Sequence, residues 1–234
     1  MVKDELIKKA KESYPYRIEL HAHTSPASRC SEVAPEKEIA VFKNAGYDGI
    51  AITNHLYIKE NKKEFLDIYR GDYYKAFEAG KKLGIKTYLG AELRFLNEND
   101  NDYLLFGFDI SQLEEIYDAT EGTFESFVKT VKTDKMFLLQ AHPFRDNMKR
   151  GYEEYLDGVE AFNMHPNHNS RVALAMKYAR ENGKIATAGT DYHHPGHDGL
   201  CATRAPRLPK NEAELVNLLK SGDFIYEVSG KIVL

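Results

Sequence analysis

The sequence predicts an α/β fold closed into a compact barrel, and three observations carry the prediction. Short apolar runs alternate with helix-like stretches along the whole chain. Repeated strand–helix units call for parallel strands joined by right-handed crossovers. About seven or eight such units must fit into 234 residues, a length at which β/α barrels occur as one domain. No repeat, low-complexity tract or Pro/Gly/Ser linker divides the chain, so residues 1–234 read as a single domain.

Taken in order, "RIELH" predicts a strand over 17–21. "PEKEIAVFKNAGYDG" predicts a helix that opens at Pro35, whose fixed φ suits a first turn, and stops near Gly46. A strand follows over 49–53, then a helix in "DYYKAFEAGKKLG" ending at Gly84, where glycine takes the left-handed C-cap conformation at little cost. Strands are expected over 86–92 and 103–107, separated by the polar loop "NENDND". Further strands fall at 136–141, 158–162, 185–189 and 224–228, with a helix in "SRVALAMKYARENG" ending at Gly183. Tyr69, Tyr73 and Tyr74 read either as helix packing on the barrel or as an aromatic wall for a base or ribose.

The net charge of −4 and pI near 6.2 argue against a basic nucleic-acid-binding surface. They leave room for a phosphorylated small molecule received by a local cluster of cations. The charged N-terminal stretch has no apolar core of a signal peptide, and no apolar run approaches the roughly 20 residues of a membrane helix. Two cysteines, Cys30 and Cys201, are too few for a disulfide framework. A cytoplasmic protein is expected. Walker A, Rossmann glycine and G-x-S-x-G patterns do not occur.

Acids and histidines follow the strands. "ELHAH" carries His21 and His23, "AITNH" carries His55, "YLGAEL" carries Glu92, "LLQAHPFR" carries His142, and "ATAGTDYHH" carries Asp191, His193 and His194. His21 and His23 alternate, so their side chains point to the same side of a strand. In a parallel barrel the strand C-termini converge on one face, and neutral imidazoles with carboxylates are the donors a divalent metal requires. Singly, each residue has a structural reading: Glu92 as an ion-pair partner of Arg94, Asp191 as a cap. Five strand ends with metal-competent residues favour a shared centre.

The ordered series "HAHT", "TNH", "GAEL", "AHPF" and "GTDYH" resembles the PHP (polymerase and histidinol phosphatase) family from about Arg17 to His193. The resemblance implies a distorted seven-stranded β/α barrel of TIM type and a two- or three-metal centre that hydrolyses phosphoesters. It implies that His21 and His23 hold one ion with Glu92 and Asp191, that Glu92 bridges to a second ion bound by His142, and that His55 and His193 hold a third. Two positions depart from the family pattern. Arg29 stands where many members have a third-site ligand, and "NDYLLFGFD" offers Asp102 where they have a histidine. Glu32, Asp102 and His168 are the candidate substitutes.

The expected chemistry is hydrolysis of a phosphomonoester, in a small metabolite or nucleotide, by a metal-activated hydroxide. Zinc, manganese and iron all suit the ligand types. Arg145 is the leading phosphate-binding and catalytic cation, followed by Arg171 and Arg204. Asn163, His165 and His168 follow the 158–162 strand and should reach the same face. His168 and Asn169 are read as phosphate contacts or as groups that orient a metal ligand, and His194 or His197 as the general acid. A metallohydrolase of the amidohydrolase kind, acting at a carbon centre, is the alternative. Many of those bridge their metals with a carboxylated lysine, which no strand end here supplies. A metal-binding regulatory protein is the third reading.

Overall fold

Alternating apolar runs and helices become one curled, eleven-stranded sheet with helices against it, in a computed structural model that describes residues 2–59 and 61–233. The strands are β1 (Tyr16–Ala22), β2 (Gly49–Ile52), β3 (His55–Leu56), β4 (Lys86–Leu93), β5 (Tyr103–Phe106), β6 (Phe137–Gln140), β7 (Gly158–Asn163), β8 (Ile185–Gly189), β9 (Cys201–Ala205), β10 (Ile225–Val228) and β11 (Lys231–Val233). The helices are α1 (Val2–Ser13), α2 (Pro35–Asn44), α3 (Lys62–Leu83), α4 (Leu113–Ala119), α5 (Phe124–Thr130), α6 (Val172–Glu181) and α7 (Glu212–Ser221).

Strand order is β11-β10-β9-β1-β2-β4-β5-β6-β7-β8, with β3 paired to β4. This corrects the expectation of seven strands. It also corrects the expectation of an all-parallel sheet. Strands β1, β2 and β4 run parallel, as do β6, β7 and β8, but β5 is antiparallel to both its neighbours. The 94–102 connection is too short for the crossover that a parallel neighbour needs, about a dozen residues or more. Reversal of β5 puts its beginning, not its end, beside the C-terminal ends of the others. Strands β9, β10 and β11 add an antiparallel extension on β1, so the strand expected over 224–228 lies in that extension. The curl brings the segment after β8 back to β1: Ala22 bridges Tyr192, and the His23 amide donates to the Tyr192 carbonyl at 3.0 Å.

Apolar side chains of β1, β4, β5 and β6 pack with Leu215, Val216, Leu218 and Leu219 of α7 in one cluster. Helix α3 is longer than the sequence reading had it. Gly71, which precedes the stretch read as helical, lies inside the helix, which Asn61 caps by accepting from the Glu64 amide and Gly84 ends at φ 68°. Tyr69 is fully buried and donates to the Asn54 and Gly90 carbonyls, so it packs the helix on the sheet.

Glu38 is an exception within the apolar face of α2. It is fully buried and neither carboxylate oxygen has a hydrogen-bond partner. Burial, with the charges of Glu19 and Asp72 behind it, holds its pKa well above the usual carboxylate range. At low pH the group is neutral folded or unfolded and costs little electrostatically. As pH rises through the ordinary carboxylate value the unfolded chain ionises while the folded one does not, and stability falls. Glu38→Met is therefore expected to stabilise the protein by about 1–2 kcal/mol at pH 8 and by less at pH 4. Urea unfolding at both pH values reads the difference, and an equal gain at both would remove the electrostatic cause.

Candidate metal centre

The ends of β1, β4, β6, β7 and β8, with the starts of β3 and β5, surround one cavity of about 450 Å³. His21, His23, Glu92, His142 and Asp191 are each no more than 2% exposed. Glu92 lies at the centre. Its Oε1 is 3.3 Å from His21 Nε2 and 3.1 Å from His142 Nε2, and its Oε2 is 3.3 Å from His23 Nε2 and 2.8 Å from His55 Nδ1. Asp191 Oδ1 is 3.4 Å from both His21 Nε2 and His23 Nε2, and 3.3 Å from His193 Nδ1.

Hydrogen bonds around the rim fix which ring nitrogens carry hydrogen. His21 Nδ1 donates to Glu160 Oε1 at 2.8 Å. Ser28 Oγ gives its hydrogen to Asn54 Oδ1 at 2.9 Å, so at its 3.2 Å contact with His23 Nδ1 it accepts. Neutral, the two rings would then oppose lone pair to lone pair, since His21 Nε2 and His23 Nε2 are 3.0 Å apart. That contact requires a positive charge, a proton or a metal ion, between or beside them. Glu92 Oε2 and His142 Nδ1 are buried without any hydrogen bond.

The electrostatics agree. Burial pulls the His21 pKa down, but Glu160, Asp191 and Glu92 outweigh it and hold it well above the usual histidine value. Burial pushes Glu92 and Asp191 up, and the surrounding imidazoles, with Arg145 on Asp191, bring both well below the usual carboxylate range. The cavity thus favours anionic acids and a cation among them. Three groups of donor atoms lie within 4.8 Å of one another: His21, His23 and Glu92; His23, His55 and His193; His55, Glu92 and Asp102. Imidazole and carboxylate donors in these groups fit divalent cations.

All nine histidines of the chain form one array of ring contacts. His142 stacks on His21, His21 meets His23, His23 meets His55 and His193, and His193 leads through His165 and His194 to His168 and His197. Independent structural histidines would not all gather at one end of a sheet. The PHP domain model matches residues 19–228, most of the chain.

The chain belongs to the PHP family. In a two-domain protein from Bacteroides vulgatus, described as containing a predicted PHP-like metal-dependent phosphoesterase, the shared fold has a TM-score of 0.70 at 15% identity, over 93% of this chain and 66% of that one. An amidohydrolase from Chromobacterium violaceum, solved with sulfate and no metal, matches with a TM-score of 0.54 at 15% identity, over 77% of this chain and 89% of that one. The PolC-type DNA polymerase III of Bacillus cereus is 28% identical over 117 residues, covering 44% of this chain. The chain spans only 7% of that polymerase.

Around the PHP cavity the other expected residues divide. Arg145 donates from Nη2 to Asn163 Oδ1 at 3.1 Å and to Asp191 Oδ2, while its buried Nε has no acceptor. Asn163 donates to Glu160 Oε2 at 3.0 Å and to Asp191 Oδ2 at 3.2 Å. His168 and His194 line the cavity. Asp102 reaches it because β5 is reversed: it lies 3.8 Å from His142 Nε2 and is held by two 2.8 Å bonds from Arg94. Arg171 is outside, its guanidinium engaged by the Phe144 carbonyl and Asp146 at 2.6 Å each. Arg204 is also outside, pairing with Glu227 at 2.6 Å on the β9–β10 extension. Glu32 contacts His194 at 3.4 Å and is largely exposed. Among the described residues no helix is long and apolar enough to cross a membrane.

Sequence reasoning missed two acids. Glu160 on β7 receives His21 Nδ1, the His142 amide at 3.0 Å and Asn163. Glu19 on β1 receives the amides of Leu20, His21 and Thr190 at 3.0, 2.9 and 2.8 Å, and the Thr190 hydroxyl. It ties β1 to the turn where Asp191 takes φ 57°, a left-handed conformation that a side-chain-bearing residue rarely adopts. Burial pushes the Glu19 pKa up to about 7 against the bonds from Thr190 and His21. Each acid interrupts an apolar strand, in "GVEAFN" and "RIEL". That signal was available.

Proposed function

We propose that this protein is a metal-dependent phosphoesterase that cleaves a phosphomonoester in a small molecule. The observation that carries the reading is the lone-pair contact between His21 and His23 beside Glu92 and Asp191, next to an arginine with an unanswered buried N–H. His21, His23, Glu92 and Asp191 would hold one ion, Glu92 and His142 a second, and His55 and His193 a third. When bound, such ions polarise a phosphoryl oxygen and acidify water. Glu160 holds the His21 ring through Nδ1 and leaves Nε2 to the centre. Arg145, fixed by Asp191 and Asn163, keeps a buried Nε–H without an acceptor, and a phosphoryl oxygen would be an acceptor of the right charge. His168 and His194 stand on the wall where a leaving alkoxide would need a proton.

The test is phosphate release from a panel of monoesters, p-nitrophenyl phosphate included, by protein loaded separately with manganese, zinc and iron. No release from any monoester by folded, metal-replete protein would overturn the reading. Arg145→Lys is expected to lower kcat/KM about 100-fold, roughly 2.7 kcal/mol, with metal content unchanged. Lysine keeps the charge but not the fork that serves Asp191, Asn163 and an anion together. Amide and deamination substrates test the amidohydrolase reading, which has in its favour the fold shared with the Chromobacterium protein. Against it, no lysine lines the cavity among the described residues.

A further inference from the structure

The 450 Å³ cavity adjoins a second one of about 760 Å³, a volume suited to a small ligand, which the phosphoesterase reading leaves without a task. His55 and Arg94 line both, so a molecule with its phosphoryl group at the metal centre would extend its leaving group here. Ile58, Phe65 and Ile68 make part of the wall apolar. Tyr57 follows His55 by two residues, and the two rings meet edge to face with centroids 6.1 Å apart. Lys59 Nζ lies 3.8 Å from the centre of the Tyr57 ring and donates to the phenol oxygen. The lysine is half-buried and its backbone is pinned: Tyr117, itself buried, accepts from the Lys59 amide at 2.8 Å and donates to the Lys59 carbonyl at 3.0 Å. Among the described residues, Lys59 has no acid partner, the Tyr57 hydroxyl hydrogen has no acceptor, and Arg29 on the same wall has no hydrogen bond or ion pair. The one acid of this wall among those residues, Glu64, takes Asn61 Nδ2 at 2.8 Å, and Arg94 is occupied by Asp102. The phenol answers one of the three ammonium hydrogens of Lys59, so donors and positive charge face the cavity without acceptors to meet them.

We propose that the 760 Å³ cavity is the subsite for the leaving group, and that the substrate is a phosphomonoester of an apolar alcohol carrying a carboxylate, which Lys59 and the Tyr57 hydroxyl bind. The inference rests on the phosphoesterase reading and names the substrate class of that site. Lys59 Nζ and the Tyr57 hydroxyl are held against each other, so they form an adjacent pair of donors with a single charge. A carboxylate offers the matching pair of acceptor oxygens, also with a single charge. A second phosphate carries nearly twice that charge and a third acceptor oxygen, for which only the exposed Arg29 remains. Ile58, Phe65 and Ile68 receive the carbon body between the two anionic ends.

The experiment compares the full-length, manganese-loaded protein on phenyl phosphate and on its para-carboxy, carboxymethyl and carboxyethyl derivatives, which place the carboxylate at increasing reach. Wild type is expected to favour at least one carboxylated ester over phenyl phosphate by about 10-fold in kcat/KM. Lys59→Met keeps the length of the side chain without the charge and should bring that ratio close to one, while Lys59→Arg restores part of it. Tyr57→Phe, which loses only the hydroxyl, should lower the ratio about threefold. Taking the ratio cancels any loss common to both substrates, such as poor folding or metal loading. Calorimetric binding of the matching hydroxyphenyl carboxylates reads the subsite without turnover, and Lys59→Met should weaken it about 10-fold. Turnover of phenyl phosphate with no preference for a carboxylate at any reach overturns the subsite and leaves the phosphoesterase reading standing. A preference for a phenylene bisphosphate over every carboxylate, or one that neither Lys59→Met nor Tyr57→Phe reduces, also overturns it. Carboxylate binding that depends on Lys59, in a protein that cleaves none of the esters, supports the carboxylate site while removing the phosphoesterase reading. Absence of both binding and cleavage overturns the two together.

Discussion

Glu92→Gln is expected to empty the centre of divalent metal and to lower kcat/KM by about 1,000-fold or more, roughly 4 kcal/mol of transition-state stabilisation. The side chain keeps its shape, so the loss isolates charge and lone pairs. In the native protein both Glu92 oxygens face imidazole nitrogens, at 2.8–3.3 Å from His55, His142, His21 and His23. An amide can present only one oxygen. Its NH2 group would point hydrogens at nitrogens needed as donors of lone pairs, and the negative charge that balances a dication is gone.

Metal content, read by two methods, and pH response check this besides turnover. Elemental analysis should find the variant depleted, and thermal unfolding should lose its response to added metal. For wild type, ligand linkage at 1,000 times Kd is worth about 4 kcal/mol. The second readout is pH. Burial alone would lower His55, and Glu92 raises it well above the usual histidine value in the metal-free protein. His21 is raised in the same way by its three carboxylates. Protons and metal therefore compete for the same nitrogens, and wild-type metal affinity is expected to weaken as pH falls. In Glu92→Gln the His55 resonance should titrate at lower pH by NMR. A variant with full metal content and wild-type turnover would remove Glu92 from the centre altogether.

The residues that the sequence made legible are those whose position follows from periodicity and topology alone. His21 and His23 alternate, so they must share a side, and their Nε2 atoms are 3.0 Å apart. His142 and Asp191 follow parallel strands, so a shared mouth brings them together despite 48 intervening positions in the sequence. What was not legible depends on partners that only the fold supplies. Glu160 looks like a polar residue in an apolar strand until β7 is placed where it meets a histidine 139 residues away. Asp102 was a candidate substitute ligand only by its place in the family pattern; the physical reason it reaches the mouth, the reversal of β5, came from the fold. Arg171 stands away from the cavity for a local reason: its backbone is left-handed at φ 47° and its guanidinium turns back to Phe144 and Asp146. The strand count fell short at β3, β9 and β11, each only two to five residues long, whereas β10, which follows α7, was expected.

Gly189→Ala tests whether the His21–Glu160 contact, and not merely the presence of both residues, sets the metal affinity. A Cβ at position 189 would lie 2.6 Å from Glu160 Oε1 and 2.6 Å from the His21 Cβ, closer than non-bonded atoms tolerate. Neither neighbour has room to yield freely. Glu160 is also held by the His142 amide and Asn163, and the His21 backbone is fixed by Glu19. The methyl group therefore acts as a wedge between β8 and the ring it supports. Loss of an outer hydrogen bond to a metal ligand typically costs 10–100-fold in affinity or activity, and a drop of that size is expected here. Overpacking should add a destabilisation of about 1–3 kcal/mol. Gly71→Ala supplies the contrast: it lies inside α3 with open space where its Cβ would go, so the same substitution should stabilise by about 0.5–1 kcal/mol and leave metal uptake unchanged. Metal titration calorimetry on both variants separates a wedge at the centre from a general effect of alanine. If Gly189→Ala binds metal as wild type does, the orientation of His21 by Glu160 has no part in holding the ions.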